Sequence, residues 1–169
     1  MTIGPLGFLT VLHEAGSYVG GYLVTNGWGR PLEFRLSTAV QPNRVQQILY
    51  ADTLTAYLCG EIIGRALVEK TTTVAQVLLT DTFDTLSLRT CIEIPVVWLA
   101  PADYVASNPS QVISHPSQKL LVHPDYPDDA VRLRDLFDRL SGLDLLEPFT
   151  RIRHALTEAR KMGVMQRAG

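Results

Sequence analysis

Two histidines stand directly before prolines, His115 in S-H-P-S and His123 in V-H-P-D, and Asp125 follows the second. Imidazole titrates near neutral pH and binds metals. With His13 as a further possible ligand, His115, His123 and Asp125 form a candidate metal or acid–base site. The competing reading is plain turn chemistry in a proline-rich crossing. A thiol nucleophile needs a base or a helix N-terminus to activate it. Cys59 falls inside a helical pattern and Cys91 on an apolar strand, so both read as core thiols. They fit no C-x-x-C or zinc spacing. Near the end, Arg151, Arg153, Arg160, Lys161 and Arg167 stand against Glu158. A basic helix of this kind can hold phosphates, with an affinity that falls as salt rises. It lacks interleaved aromatics and equally describes a solvated face.

Trp28 sits between Gly27 and Gly29, with Arg30 two residues on. Glycines on both sides let it fold back over the end of the core. The other reading is that it stands out as an anchor, since Trp and Arg are favoured interface residues. Tyr57 and Ile63 lie outside the narrow apolar stripe of a long helix, as do Tyr50 and Leu67. Surplus apolar surface suggests a partner or self-association. Trp28, Arg30, Tyr57 and Ile63 are therefore the candidate protein-binding residues.

The elements that must position these groups follow from periodicity. Gly7–Glu14, Tyr18–Thr25 and Leu32–Ser37 read as strands, the last by strict alternation of Leu32, Phe34 and Leu36 with polar residues. Gly20 and Gly21 mark a bulge or a close backbone approach. Asn26-Gly27 signals a hairpin, so a three-stranded antiparallel meander is expected. A long helix follows from Asn43 to Lys70, with Val45, Ile48 and Leu49 and then Leu54, Leu58, Ile62 and Ala66 as its buried stripe, and Asp52 caps a second segment or marks a kink within it. Gly60 and Gly64 let its backbone approach a sheet. Ala75–Asp81 and Arg89–Ala100 read as strands, and Pro95 makes the second an edge or a bulged strand. Gln118–His123 is one further edge strand in the crossing from Pro101 to Pro127. Two helices close the chain, one opened by Asp128 and Asp129, the other capped by Asp144.

The expected fold is α+β. It has an antiparallel-rich sheet, built of the three-stranded meander, the long helix and two or three further strands. Two C-terminal helices complete it, with the helices on one face. Residues 1–100 form its core, 101–127 the proline-rich crossing, and 128–169 a helical hairpin packed on the same domain.

Three acids follow this order. Glu14 ends the first strand, Glu61 lies on the long helix, and Asp81 ends the next strand. Three antiparallel strands, a helix with an acid and a strand ending in an acid resemble the opening order of the ribonuclease H fold. That resemblance implies that Glu14, Glu61 and Asp81 cluster to hold two magnesium ions for phosphodiester cleavage. The pattern departs where the first acid is Glu and where another strand follows Asp81. The same order is also similar to profilin-like and longin-like adaptor domains.

Composition narrows the choice. The chain has 169 residues, 46% of them hydrophobic and 19% charged, which suits a globular domain. Its net charge of -2 gives no general pull towards nucleic acid or anionic membrane. G-x-G-x-x-G, G-x-x-x-x-G-K-[ST], H-E-x-x-H and G-x-S-x-G are all absent. No signal peptide or bilayer-spanning run is read. The expectation is a small cytoplasmic interaction module or complex subunit without catalysis or cofactor. It would have a protein partner or self-associate. Phosphodiester cleavage and nucleic-acid binding through the basic helix are the alternatives.

Overall fold

The computed structural model describes residues 2–163. The β-branched and aromatic start of the chain forms β1 (Leu6–Glu14), β2 (Ser17–Thr25) and β3 (Pro31–Leu36). β1 and β2 pair antiparallel from Leu6 opposite Thr25 to Glu14 opposite Ser17, and β2 pairs antiparallel with β3. The chain then forms β4 (Val77–Thr80), β5 (Val96–Ala100), β6 (Val112–Ile113) and β7 (Lys119–Val122). Together they make one seven-stranded sheet in the order β3-β2-β1-β4-β5-β7-β6.

The expected antiparallel-rich sheet is corrected by this order. The sheet is mixed and its centre is parallel, because β1 pairs with β4, and β4 with β5, in parallel. The cause is the connections. A helical crossover carries the chain back to the opposite end of the sheet, where the preceding strand began, so the next strand runs in the same direction. One crossover lies between β3 and β4. The other is a 3₁₀ segment, Phe83–Thr90, between β4 and β5. In the sequence Arg89–Ala100 resembles one long strand, but only Val96–Ala100 pairs.

The long helix is broken at Ala51–Thr53, around the Asp52 where the sequence places a kink or a second segment. α1 (Arg44–Tyr50) opens on a capping box between Asn43 and Gln46. It ends at Ala51, whose φ of 47° and ψ of −123° start a new axis. A 3₁₀ turn, Ala51–Thr53, leads into α2 (Leu54–Ala56), a π-helical stretch Tyr57–Gly64, and α3 (Arg65–Lys70). Because α1 turns away from the sheet, Val45, Ile48 and Leu49 are exposed rather than buried. A non-glycine residue at positive φ carries strain. Ala51→Gly is therefore expected to raise stability by roughly 1 kcal/mol, read as a higher midpoint in urea. An unchanged or lower midpoint would refute the strain.

Helices cover both faces, not one. Over one face lie α4 (Asp128–Arg139) and α5 (Glu147–Lys161), which share a core with Leu6, Phe8, Val77, Leu79 and Val97. On the other face Leu58, Ile63 and Leu67 pack on Leu9, Tyr22, Leu78 and Trp98. Gly20 and Gly21 make this three-layer packing possible. A methyl on Gly20 would collide with Ile63, and one on Gly21 would lie 2.5 Å from Ile152 on the opposite face.

β3 is tied to the loop after α3 through Glu33. Its carboxylate accepts the backbone N–H groups of Thr73 at 2.9 Å and Thr72 at 3.1 Å, and the Nε of Arg35 at 3.0 Å. The two backbone donors, with Arg35 assisting, hold its carboxyl down to about 2. A carboxylate pKa depressed in the fold stabilises above its unfolded value, and that contribution fades as pH falls towards the folded value. The stability difference between the native chain and Glu33→Gln is expected to be full above about pH 4.5 and to shrink towards pH 2. Urea midpoints across that range check it; a pH-independent difference would refute it.

Candidate functional site

The predicted acids do not converge. Glu14, at the end of β1, pairs with Arg160 of α5, and Asp81, just past β4, pairs with Arg153 of the same helix. Glu61 is exposed on the π-helical stretch, which packs on the opposite face. Among the described residues no three His, Cys, Asp or Glu side chains come together to hold a metal ion. Two hard cations need several free carboxylates, so Glu14, Glu61 and Asp81 as placed do not fit a two-metal centre.

The same pairs use up the basic helix. Arg153 and Arg160 are engaged as described, Lys161 bonds Glu158 at 3.2 Å, and Arg151 bonds Glu147 at 2.9 Å. Arg151 also donates to the Gly29 carbonyl at 2.8 Å, anchoring the tip that carries Trp28. Arg167 lies outside the described residues. Of the candidate protein-binding residues, Ile63 is buried under Gly20 and cannot meet a partner. Tyr57 is half-buried and stacks on Tyr50 at 4.2 Å. Trp28 is 91% exposed, so it does not fold back over the core.

The cysteines are core thiols of different kinds. Cys59 is buried, and that burial, with the charge of Asp84 adding to it, pushes its thiol up to about 12. Cys91 is half-buried. His115 and His123 each accept a backbone N–H two residues on, His115 from Ser117 at 3.3 Å and His123 from Asp125 at 3.1 Å. This is the turn chemistry that the His-Pro sequence allowed. Asp125 supplies its backbone to His123, and the three residues hold no common point for a metal.

His123 nevertheless belongs to a site that the sequence did not suggest. A cavity of about 290 Å³ opens on the face of β5 and β7. Its apolar wall is aromatic. Trp98 on β5 meets Phe83 edge-to-face at 4.9 Å and Tyr104 at 4.8 Å. Asp84, Ser87, Gln111 and His123 complete the lining. Each polar group has a defined remaining capacity. Ser87 Oγ donates towards the carbonyls of Ala56 and Asp84 at 2.9 and 3.0 Å, leaving lone pairs. Gln111 Nε2 donates to Val122 O at 2.9 Å, leaving Oε1 free as an acceptor. His123 accepts at Nδ1, so its neutral ring carries the proton on Nε2. Burial holds His123 below the ordinary histidine range and Asp84 above the ordinary carboxylate range. The site is therefore an aromatic slot edged by one ring donor and several acceptors.

A mixed sheet with a parallel centre and helices on both faces invites comparison with solved structures. An endonuclease V from Bacillus subtilis superposes with a TM-score of 0.51 at 12% identity, covering 94% of this chain and 83% of that chain. Endonuclease V of Ciona intestinalis, bound to a 23-mer DNA containing inosine, gives 0.39 at 12% identity over 64% of this chain and 49% of that one. Argonaute of Marinitoga piezophila, with a guide RNA, gives 0.35 at 10% identity over 81% of this chain and 26% of that one. No protein-family model and no curated protein matches the chain. The Bacillus subtilis likeness corrects the expectation of a protein-binding complex subunit without catalysis, because the architecture is that of an endonuclease V-like fold. Among the described residues no helix is long and apolar enough to cross a membrane.

Proposed function

We propose that this chain acts on nucleic acid and lodges one base in the cavity lined by Phe83, Trp98 and Tyr104. The observation that carries this reading is the slot itself, set in an endonuclease V-like fold. Stacking on an exposed aromatic face such as that of Phe83 holds any base, and edge hydrogen bonds select among them. Asp84 and Gln111 would accept from exocyclic or ring N–H groups, and Ser87 would offer a lone pair. His123 Nε2–H would donate to a ring nitrogen or carbonyl. Two cysteines outside any disulfide accord with the cytoplasm, where we place the protein.

Fluorescence anisotropy with labelled single-stranded DNA and RNA tests the reading. Losing a hydrogen bond to a charged group costs about 1.5–3 kcal/mol, so Asp84→Asn is expected to weaken binding at least about tenfold. His123→Ala is expected to shift base preference. Binding indifferent to both changes would overturn the slot. Cleavage is the second reading, favoured by the fold alone. Strand products formed with Mg²⁺ or Mn²⁺ and lost on adding EDTA would support it, and an intact strand would count against it.

A further inference from the structure

Trp28 is held out into solvent by a rigid tip. Asn26 Oδ1 accepts the backbone N–H groups of Trp28 at 2.9 Å and Arg30 at 3.0 Å, and Asn26 N donates to Arg30 O at 2.9 Å. Gly29 turns the chain at a φ of +84°, and its carbonyl is clamped by Arg151. The backbone that carries the exposed indole is thus fixed before anything binds, so ordering the tip costs little.

Beside it runs an open groove of about 770 Å³, floored by Ile3 and Leu143 and edged by Arg139. Among the described residues neither Arg139 nor Arg30 has an ion-pair partner, although most of the other arginines do. Asp144, on the adjoining loop, is turned onto the backbone N–H of Leu146 at 3.0 Å. The groove therefore joins the exposed indole to the uncommitted guanidinium of Arg139, and Arg30, exposed on the same tip, adds a second cation. Flat apolar rings joined by phosphates complement that combination in both shape and charge. The tip lies at the opposite end of β1 from Glu14, about 30 Å away at the rise of a strand.

We infer that Trp28, with Arg30 and Arg139, forms a second platform on which a single strand of nucleic acid stacks, away from the Trp98 slot. The platform rests on the nucleic-acid reading above but uses separate residues.

The probe is a fluorescein-labelled oligothymidylate of about 12 nucleotides. Trp28 is one of only two tryptophans, and the other, Trp98, is buried. Binding is expected to quench the emission contributed by Trp28. Stacking on an aromatic is worth about 1–3 kcal/mol per base, so Trp28→Ala should weaken binding roughly 5- to 150-fold. Its thermal midpoint should not move, because the ring is exposed. Trp28→Phe should restore most of the affinity. Arg30→Gln with Arg139→Gln should flatten the salt dependence by nearly two phosphate contacts. Unchanged affinity in Trp28→Ala, with loss in Asp84→Asn, overturns the platform and leaves the slot standing. Binding to neither overturns both. A dimer that Trp28→Ala dissociates, without oligonucleotide binding, overturns the platform and assigns the groove to a second copy.

Discussion

Asp129→Asn is expected to destabilise the protein by about 3–5 kcal/mol. The carboxylate of Asp129 is 2% exposed and receives Nε of Arg89 at 2.7 Å. Arg89, at 11%, also donates to the Ile92 carbonyl at 2.8 Å and lies over the Tyr126 ring at 4.0 Å. The pair locks the 3₁₀ crossover to the start of α4. Asparagine keeps the shape but leaves a buried guanidinium without its counter-charge. Arg132, the other partner of Asp129, is 65% exposed at 3.4 Å and adds little. Urea unfolding reads the loss. Added salt should not rescue it, because a buried pair is poorly screened. Replacing both partners, as Arg89→Met with Asp129→Leu, should recover much of it. A loss of under about 1 kcal/mol in Asp129→Asn would mean that water reaches the pair.

Trp98→Ala is expected to cost a similar 3–5 kcal/mol. Its side chain is 6% exposed and fills the junction of β5 with Phe83 and Tyr104. Each edge-to-face contact is worth about 0.5–1.5 kcal/mol beyond the buried area. The change also removes the ring against which Phe83 and Tyr104 are set, so affinity should fall along with stability. Trp98→Phe separates the two effects: it keeps an aromatic wall and should retain more binding than stability. Loss of stability with full affinity in Trp98→Ala would move the ligand away from this slot.

Local patterns in the sequence located most of the strands and the two closing helices. Alternation in Leu32–Leu36 and the i, i+3, i+4 stripe of α4 depend on neighbours close in the chain, which a sequence displays directly. Strand direction does not. Whether Val77–Thr80 runs with or against β1 is decided by the crossover before it, and the helical residues of Phe83–Thr90 carry no strong period. The stripe of Val45, Ile48 and Leu49 had the right spacing, yet the turn at Ala51 swung it into solvent. The acids were plausible ligands by order. Arg153 and Arg160, 72 and 146 residues from their partners, cancel them in space. The cavity draws Phe83 and Trp98 from two elements and Tyr104 and His123 from two connecting segments, so no short motif contains it. Only the His-Pro pattern touched it, and that pattern pointed to metal.

The two rims of the sheet limit how this molecule can associate. β3 begins at Pro31, carries Glu33 and Arg35, and shifts register against β2 at Val24 and Thr25. β6, the other rim, is two residues long. Neither offers the straight, unpaired ladder of amides that a foreign strand needs for docking. Growth into fibrils by strand addition is blocked at both sides, as is capture of an extended peptide. Whatever this protein holds, it must hold by side chains, in the slot or at the tip.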